Sequence, residues 1–83
     1  DVDARVATLL LDFAEKFGVD APGGPLITLP ISREGMANYL GIARETLSRK
    51  LSKFEDDGLI QSVDLKTIQV RDRDSLGDLA GLE

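Results

Sequence analysis

Four polar side chains are spaced in the segment Gly41 to Ile60 so that a helix would place them together. Ser48 and Arg49 follow Glu45 by three and four residues, and Ser52 comes four residues after Ser48. At about 100° per residue, these positions lie on one face of a helix. An arginine can donate to O6 and N7 of guanine, a glutamate can accept from N4 of cytosine, and a serine can bond to a base or a phosphate. The spacing therefore predicts a helix face that could hydrogen bond to bases in the DNA major groove.

Positive charge is concentrated around these four residues. Arg44, Lys50 and Lys53 flank them, and Arg33 lies a short distance upstream. Residues 31–53 carry a net charge of +3, whereas the whole chain of 83 residues carries −5. Because phosphate contacts are made mainly by lysine and arginine, this segment is the part of the chain best suited to the DNA backbone. The flanking cations are therefore predicted to bind phosphate beside the base-reading face.

The composition excludes most enzyme classes. The chain has no cysteine and no histidine, which removes disulfides, thiol chemistry, the common zinc sites and the usual nucleophile–base pairs. Hydrophobic residues make up 42% and charged residues 30%, as in an ordinary globular domain. No apolar run approaches the roughly 20 residues needed to span a bilayer. We therefore expect one small cytoplasmic domain that is not an enzyme, with no metal site and no membrane partner.

The N-terminal segment has the apolar spacing of an amphipathic helix. Its apolar residues recur at intervals of three and four and are predicted to face the core: Val6, Leu9, Leu10, Phe13 and Phe17. Gly18 is expected to end this helix. Residues 19–25 are rich in proline and glycine and predict a loop, and the following PLITLPIS predicts one brief strand.

Two helices joined by a very short connection are predicted next. Ser32 is expected to cap the first of them, and Gly41 to end it in a left-handed conformation. The second carries the polar face and runs over residues 44–57. The apolar residues expected to be buried are Met36, Ala37 and Leu40 on the first helix and Leu47, Leu51 and Phe54 on the second. Helices joined so closely must cross steeply, which is typical of a helix-turn-helix motif, here at about residues 32–57.

Two β segments and a short helix complete the predicted domain. Leu59–Val63 and Thr67–Val70 are expected to form a ribbon, although the turn between them lacks the glycine or asparagine of a strong hairpin signal. Asp74 is expected to cap a final helix that buries Leu76 and Leu79. The predicted fold class is mainly α with a small β-ribbon. It is a winged helix-turn-helix domain over residues 1–81 with its wing at about 59–70, and residues 82–83 are a candidate cloning remnant.

Simpler interpretations compete with DNA binding. A run of charge on a helix is often only its solvated face. The same basic helix could also dock an acidic protein partner, in which case the winged helix is a protein-interaction module. Asp72 to Glu83 matches the EF-hand spacing in part, but Leu76 stands at a position where Ca²⁺ requires an oxygen ligand. The adjacent carboxylates of Glu55, Asp56 and Asp57 would point to different sides of a helix, so they predict no catalytic pair.

The sequence ISREGMANYLGIARETLSRKLSKFEDDGLI, followed by TIQVRDRDSLGDLAG, resembles a known family. It is similar to the C-terminal winged-helix domain of the cyclic-AMP receptor protein and fumarate–nitrate reduction regulator (Crp/Fnr) family of bacterial transcription factors. The most specific part is RETLSR at 44–49, after YLG at 39–41. The resemblance implies sequence-specific DNA binding in transcription regulation, with the helix at 44–57 in the major groove. It implies base contacts by Glu45, Ser48 and Arg49.

The resemblance also implies the remaining contacts and partners. Arg44 would contact a phosphate or a flanking base, and we assign Arg33, Lys50, Ser52 and Lys53 to the same backbone or flanking group. With Ser48, the triplet E-x-x-S-R is nearer the fumarate–nitrate branch, whose half-site is TTGAT, than the cyclic-AMP branch, whose half-site is TGTGA. Three residues depart from the family pattern: Ala43 offers no hydroxyl to cap the helix, Gly35 replaces an acidic residue, and Lys50 replaces an apolar one.

In that family a sensor domain and a dimerisation helix precede this region. The expected partner is double-stranded DNA, with RNA polymerase as a further candidate. We expect the full-length protein to be a homodimer and this region alone to be a monomer. No cofactor is expected within it, and the effector of a sensor domain cannot be named from these residues.

Overall fold

The computed structural model describes residues 1–81, which form four helices and four short strands in the order α1-β1-β2-α2-α3-β3-β4-α4. The helices are α1 Val2–Phe17, α2 Arg33–Leu40, α3 Arg44–Asp56 and α4 Arg73–Ala80. The strands are β1 Gly18–Val19, β2 Leu26–Thr28, β3 Ile60–Ser62 and β4 Thr67–Val70. The candidate cloning remnant, Leu82 and Glu83, lies outside the described residues.

Helix α1 buries the apolar stripe that its sequence predicts, apart from its last aromatic residue. Asp1 caps the helix by accepting a 2.7 Å hydrogen bond from the backbone N–H of Ala4. The prediction that Phe17 belongs to the core is wrong, because its side chain is 46% exposed. Phe17 is the final residue of the helix, where the chain turns into β1, and its ring meets only the edge of half-buried Phe13 at 6.1 Å between centroids. A stripe extrapolated to the end of a helix overestimates burial there.

Helices α2 and α3 form the predicted helix-turn-helix. Ser32 accepts a 3.0 Å hydrogen bond from the backbone N–H of Gly35, which caps α2. Gly41 has a φ of 68°, the left-handed conformation that glycine adopts without strain and that turns the chain toward α3. The inward residues of the two helices are buried as predicted: Met36, Ala37, Leu40, Leu47, Leu51 and Phe54.

The β-ribbon is part of a larger sheet than the sequence predicts. The strand order is β1-β2-β4-β3, and every pair is antiparallel. The predicted ribbon of β3 and β4 pairs Ile60 with Val70. Strand β2 then pairs with β4 and places buried Ile27 opposite Ile68. The two-residue strand β1 was not predicted, because a strand this short leaves no alternation to detect.

Gly24 allows the loop after β1 to approach the sheet. Its φ is 129°, and a Cβ atom there would lie 1.8 Å from the carbonyl oxygen of Val70. No other residue type fits this approach, because the clash is with backbone rather than with a mobile side chain. Since Val70 also donates its backbone N–H to the carbonyl of Pro25, the loop is held against β4.

Helix α4 differs from its prediction in its cap and in one buried residue. Asp72, not Asp74, caps the helix by accepting a 3.0 Å hydrogen bond from the backbone N–H of Ser75. Asp74 lies inside the first turn, where a carboxylate favours the helix dipole. Leu76 is fully buried, but Leu79 is 37% exposed, so its predicted burial is also wrong. Leu79 lies about 60° around the helix from Leu76, beyond the part of the face that the core covers.

One core holds these elements together. Helix α1 packs against α4, β2 and α3, and the sheet contributes Ile27, Ile60, Ile68 and Val70. Phe54 of α3 is fully buried in this core, so the helix is anchored along its inner side. No helix in residues 1–81 is long and apolar enough to cross a membrane.

Candidate nucleic-acid interface

Helix α3 presents the polar face that its spacing predicts. Glu45, Ser48, Arg49 and Ser52 are all exposed, opposite the buried apolar residues of the helix. The first three, together with Arg44, line a shallow surface depression of about 480 Å³. The structure therefore brings the three predicted base-reading residues together on open surface, next to a cation at the start of the helix.

Arg49 is held along the surface of α3 in the absence of a partner. Its Nη2 donates to the hydroxyl of Thr46 at 3.3 Å, in a contact exposed to solvent. The bond is long and competes with water, so it holds the guanidinium only weakly. The guanidinium can therefore exchange Thr46 for a stronger bidentate acceptor, such as a guanine edge.

An open groove of about 590 Å³ lies beside the start of α3, between the start of α2 and the turn of the wing. Three cations line it, Arg33 from α2, Arg44 from α3 and Lys66 from the wing, together with one carboxylate, that of Glu34. Arg33 reaches toward the wing, with its guanidinium 3.5 Å from the carbonyl of Leu65 and from the hydroxyl of Ser62. These contacts are long and therefore weak. The groove therefore offers an accessible anion site at the edge of the polar face of α3.

Lys66 is the residue of this groove that the sequence prediction missed. It is exposed in the wing turn, 13 residues after Lys53, so nothing local in the sequence connects it with α2. Asp64 shapes the turn by accepting a 2.8 Å hydrogen bond from the backbone N–H of Lys66. That bond is the main reason that the pKa of Asp64 is lowered. The aspartate closes the turn that has no glycine or asparagine, and Leu65 stands 81% exposed at its tip.

Lys50 and Lys53 lie on the opposite flank of α3 and are already paired. Lys50 Nζ is 2.9 Å from Asp3 Oδ1, and Lys53 Nζ is 3.1 Å from Asp3 Oδ2. The nearby ammonium group of Lys50, followed by that of Lys53, lowers the pKa of the Asp3 carboxyl. The structure therefore separates the predicted backbone cations into two groups. Arg33 and Arg44 line the open groove, whereas the two lysines bind a carboxylate of α1.

The start of α3 has the uncapped geometry expected from Ala43. This residue has the extended conformation of an N-cap, with φ −68° and ψ 148°, but makes no side-chain hydrogen bond to the first turn. The first backbone N–H groups of α3 consequently lack a side-chain acceptor. Because the positive end of the helix dipole is there, an anion is favoured at this position.

Residues 1–81 were also compared with the requirements of a metal site. No group of three or more carboxylate, histidine or cysteine side chains in this part of the chain is arranged to hold a metal ion. Asp72, the first residue of the EF-hand-like stretch, is engaged as the cap of α4. Its pKa is lowered mainly by the backbone N–H of Ser75. Within the described residues, this stretch forms α4 with its cap rather than a calcium loop.

Comparison with known proteins agrees with this architecture. The family description "Crp-like helix-turn-helix domain" matches residues 4–79. The transcriptional activator protein FnrA of Stutzerimonas stutzeri is 35% identical over 79 residues, which cover 95% of this chain and 32% of that protein. The nitrogen fixation regulation protein FixK of Rhizobium meliloti is 37% identical over 75 residues, covering 90% of this chain and 34% of that protein. The chain thus spans about a third of the length of these relatives.

Solved structures show the same fold. The CO-dependent transcription factor CooA from Carboxydothermus hydrogenoformans superimposes with a TM-score of 0.90 at 29% identity, over 96% of this chain and 37% of that one. FixK2 from Bradyrhizobium japonicum gives a TM-score of 0.83 at 33% identity, over 95% and 38%. The family consists of transcription regulators rather than enzymes. The chain therefore belongs to the Crp/Fnr family of transcription regulators and forms its winged helix-turn-helix DNA-binding domain.

Proposed function

We propose that α3 enters the major groove of a TTGAT-like half-site and that Glu45, Ser48 and Arg49 contact its bases. The observation that carries this proposal is the exposed cluster of these three side chains on the polar face of α3, which is its outer face. A 13-residue helix is about 20 Å long, so its first two turns can lie along the bases of one half-site. Arg49 donates to guanine, Glu45 accepts from cytosine, and Ser48 bonds to a base or to the adjacent phosphate.

The cationic groove beside α3 supports the same orientation. With α3 in the major groove, Arg33, Arg44 and Lys66 lie toward one DNA strand and contact its phosphates. The uncapped first turn of α3 adds backbone N–H groups that favour an anion. Ser52, one turn further along α3, contacts the backbone where the helix leaves the groove. These contacts position the domain, and the base contacts select the sequence.

The relatives suggest how such a domain is used. FnrA is named a transcriptional activator, and FixK a nitrogen fixation regulation protein. We propose that this domain serves a regulator that acts as a dimer, with two copies of α3 about one DNA turn apart on adjacent half-sites. By itself it is mainly a monomer that binds one half-site weakly. RNA polymerase is a candidate partner of the DNA-bound regulator.

Arg49→Ala tests base reading directly. We expect the variant to lose about 1–3 kcal/mol of binding free energy on a TTGAT duplex and much less on a scrambled duplex. Fluorescence anisotropy of both duplexes over a range of salt measures the two losses. Arg73→Ala is the matched control, because Arg73 is an exposed arginine on α4, away from α3.

Two results would contradict the proposal. Equal losses on both duplexes would remove Arg49 from the base-reading residues. Equal affinity of the unmodified domain for both duplexes would favour docking of α3 on an acidic protein partner, for which no DNA sequence preference is expected.

A further inference from the structure

An aspartate of the first helix meets the DNA-facing helix at the flank where its two lysines lie. Asp3 is in the first turn of α1, and it bridges Lys50 and Lys53 of α3 across 47 and 50 residues of sequence. These are the ion pairs formed within residues 1–81, so the three cations of the open groove, Arg33, Arg44 and Lys66, have no carboxylate partner in the described chain. The two flanks of α3 thus differ in their available charge.

Asp3 is held in place more firmly than its partners. Its side chain is only 19% exposed, and its buried Oδ1 atom lies 2.9 Å from Lys50 Nζ without hydrogen-bond geometry. Lys50 is 31% exposed and Lys53 is 55% exposed. A carboxylate with little access to water depends on its cations, because removal of a partner leaves a charge that is poorly solvated. The carboxylate therefore stays at the flank of α3, while the lysine ammonium groups remain accessible from outside.

The position of the lysines on α3 places them between the core and the outer face. Taking Leu47 as the inward direction, Lys53 lies about 120° from it and Lys50 about 60°, on the side away from Arg44. A phosphate that approaches this flank of the outer face therefore reaches Lys53 first. The carboxylate of Asp3 already contacts the ammonium group that the phosphate would bind.

We propose that Asp3 acts as an intramolecular competitor of the DNA phosphate for Lys50 and Lys53, and so limits the sequence-independent affinity of the domain. This inference rests on the proposed function, since it requires α3 to meet DNA. An ammonium group engaged by the fixed Asp3 carboxylate is less available to a phosphate than a free one. Because sequence-independent binding comes from release of DNA counterions by free cations, the paired lysines contribute less to it. The base contacts of the outer face do not depend on Asp3.

Asp3→Asn tests the competition and keeps the shape of the side chain. We expect the variant to bind both a TTGAT and a scrambled duplex about 3- to 10-fold more tightly at low salt, with a salt slope steeper by about one to two units. Asp12→Asn is the matched control: it removes one exposed carboxylate from the same helix, at a residue facing α2 and α4 rather than α3. It should change the affinity less than twofold.

Lys53→Gln provides a second test that leaves Asp3 paired with Lys50. In the unmodified domain we expect this change to alter the affinity for scrambled DNA less than twofold, because Lys53 is already engaged. In the Asp3→Asn background it should remove most of the gain in affinity and about one unit of salt slope. Circular dichroism of each variant establishes that it is folded before binding is compared.

The outcomes separate this inference from the proposed function. The competition is overturned if Asp3→Asn and Asp12→Asn bind scrambled DNA equally tightly. It is also overturned if Lys53→Gln alone reduces the salt slope of the otherwise unmodified domain by a full unit. Equal affinity of the unmodified domain for TTGAT and scrambled duplexes overturns base reading instead. If Asp3→Asn does not fold, the slope of the Lys53→Gln single variant still decides the competition.

Discussion

The carboxylate of Glu55 accepts a 2.8 Å hydrogen bond from the backbone N–H of Ser62. Glu55 lies in the last turn of α3, and Ser62 is the last residue of β3. Because β3 is an edge strand, no further strand is present to accept from it. This side-chain bond connects α3 to the wing, two elements that must keep a fixed relation if, as proposed, both contact one DNA duplex.

Glu55→Ala is expected to loosen the wing. The variant should lose about 0.5–1.5 kcal/mol of the free energy of unfolding, since the bond is exposed, and the amide of Ser62 should exchange its hydrogen faster. Hydrogen exchange followed by NMR and urea denaturation measure the two effects. Asp56→Ala removes the neighbouring exposed carboxylate as a control, and equal exchange at Ser62 in both variants would show that Glu55 does not restrain the strand.

Leu47→Ala should create a cavity beneath the outer face of α3. Leu47 is 1% exposed, so truncation is expected to lower the free energy of unfolding by about 2–5 kcal/mol. In a domain of this size that loss threatens folding at ambient temperature. Leu65→Ala, the same change at the exposed tip of the wing, should cost less than about 0.5 kcal/mol. Chemical denaturation compares them, and similar values would mean that the buried side of α3 is misassigned.

Ala43→Ser should stabilise α3 by supplying its missing cap. Ala43 already has the extended backbone of an N-cap residue, so a serine can accept from the first turn without rearrangement. The expected gain is about 1 kcal/mol, which thermal unfolding would register as a higher midpoint. Ser32→Ala makes the reverse change at α2 and should lose a similar amount, because Ser32 caps that helix. A midpoint unchanged by Ala43→Ser would indicate that its hydroxyl points away from the helix.

Acid should weaken the attachment of α1 to α3. The ammonium group of Lys50, and then that of Lys53, lowers the pKa of Asp3 below its ordinary value. The unfolded chain therefore takes up a proton at a higher pH than the folded one. The stabilisation is therefore complete above the unfolded pKa of about 3.9, and it is lost as the pH falls through the lower folded pKa. Its size is about 1 kcal/mol or less, because the pair is partly exposed.

Urea denaturation between pH 7 and pH 2 tests this dependence. Asp3→Asn should be less stable than the unmodified domain at pH 7, and the two should converge as the pH falls through the lowered pKa of Asp3 in the folded domain. Asp12→Asn removes a carboxylate but no ion pair. The difference in the free energy of unfolding between this variant and Asp3→Asn should therefore be constant above about pH 4 and should shrink at lower pH. If the stability difference between Asp3→Asn and the unmodified domain stays constant across the whole range, the lysines do not stabilise the ionised carboxylate.

Local signals in the sequence were sufficient to predict the helix-turn-helix. Each of these signals acts within a few residues, so it can be recognised without knowledge of the fold: the cap at Ser32, the left-handed Gly41 and the apolar stripe of α3. The same spacing determines that Glu45, Ser48 and Arg49 share one face, and the structure leaves that face exposed. The roles of these residues in reading bases stay predictions.

Only the tertiary structure decided which charges are free. Asp3 and Lys53 are 50 residues apart, and no periodicity connects a first-turn aspartate of α1 with a lysine of α3. The same limit applies to Lys66, which joins Arg33 and Arg44 in one groove, and to β1, which becomes a strand only by pairing with β2. Sequence spacing determines the direction of a side chain on its own helix. Its partner depends on the packing of distant elements against a shared core, and so on the whole fold.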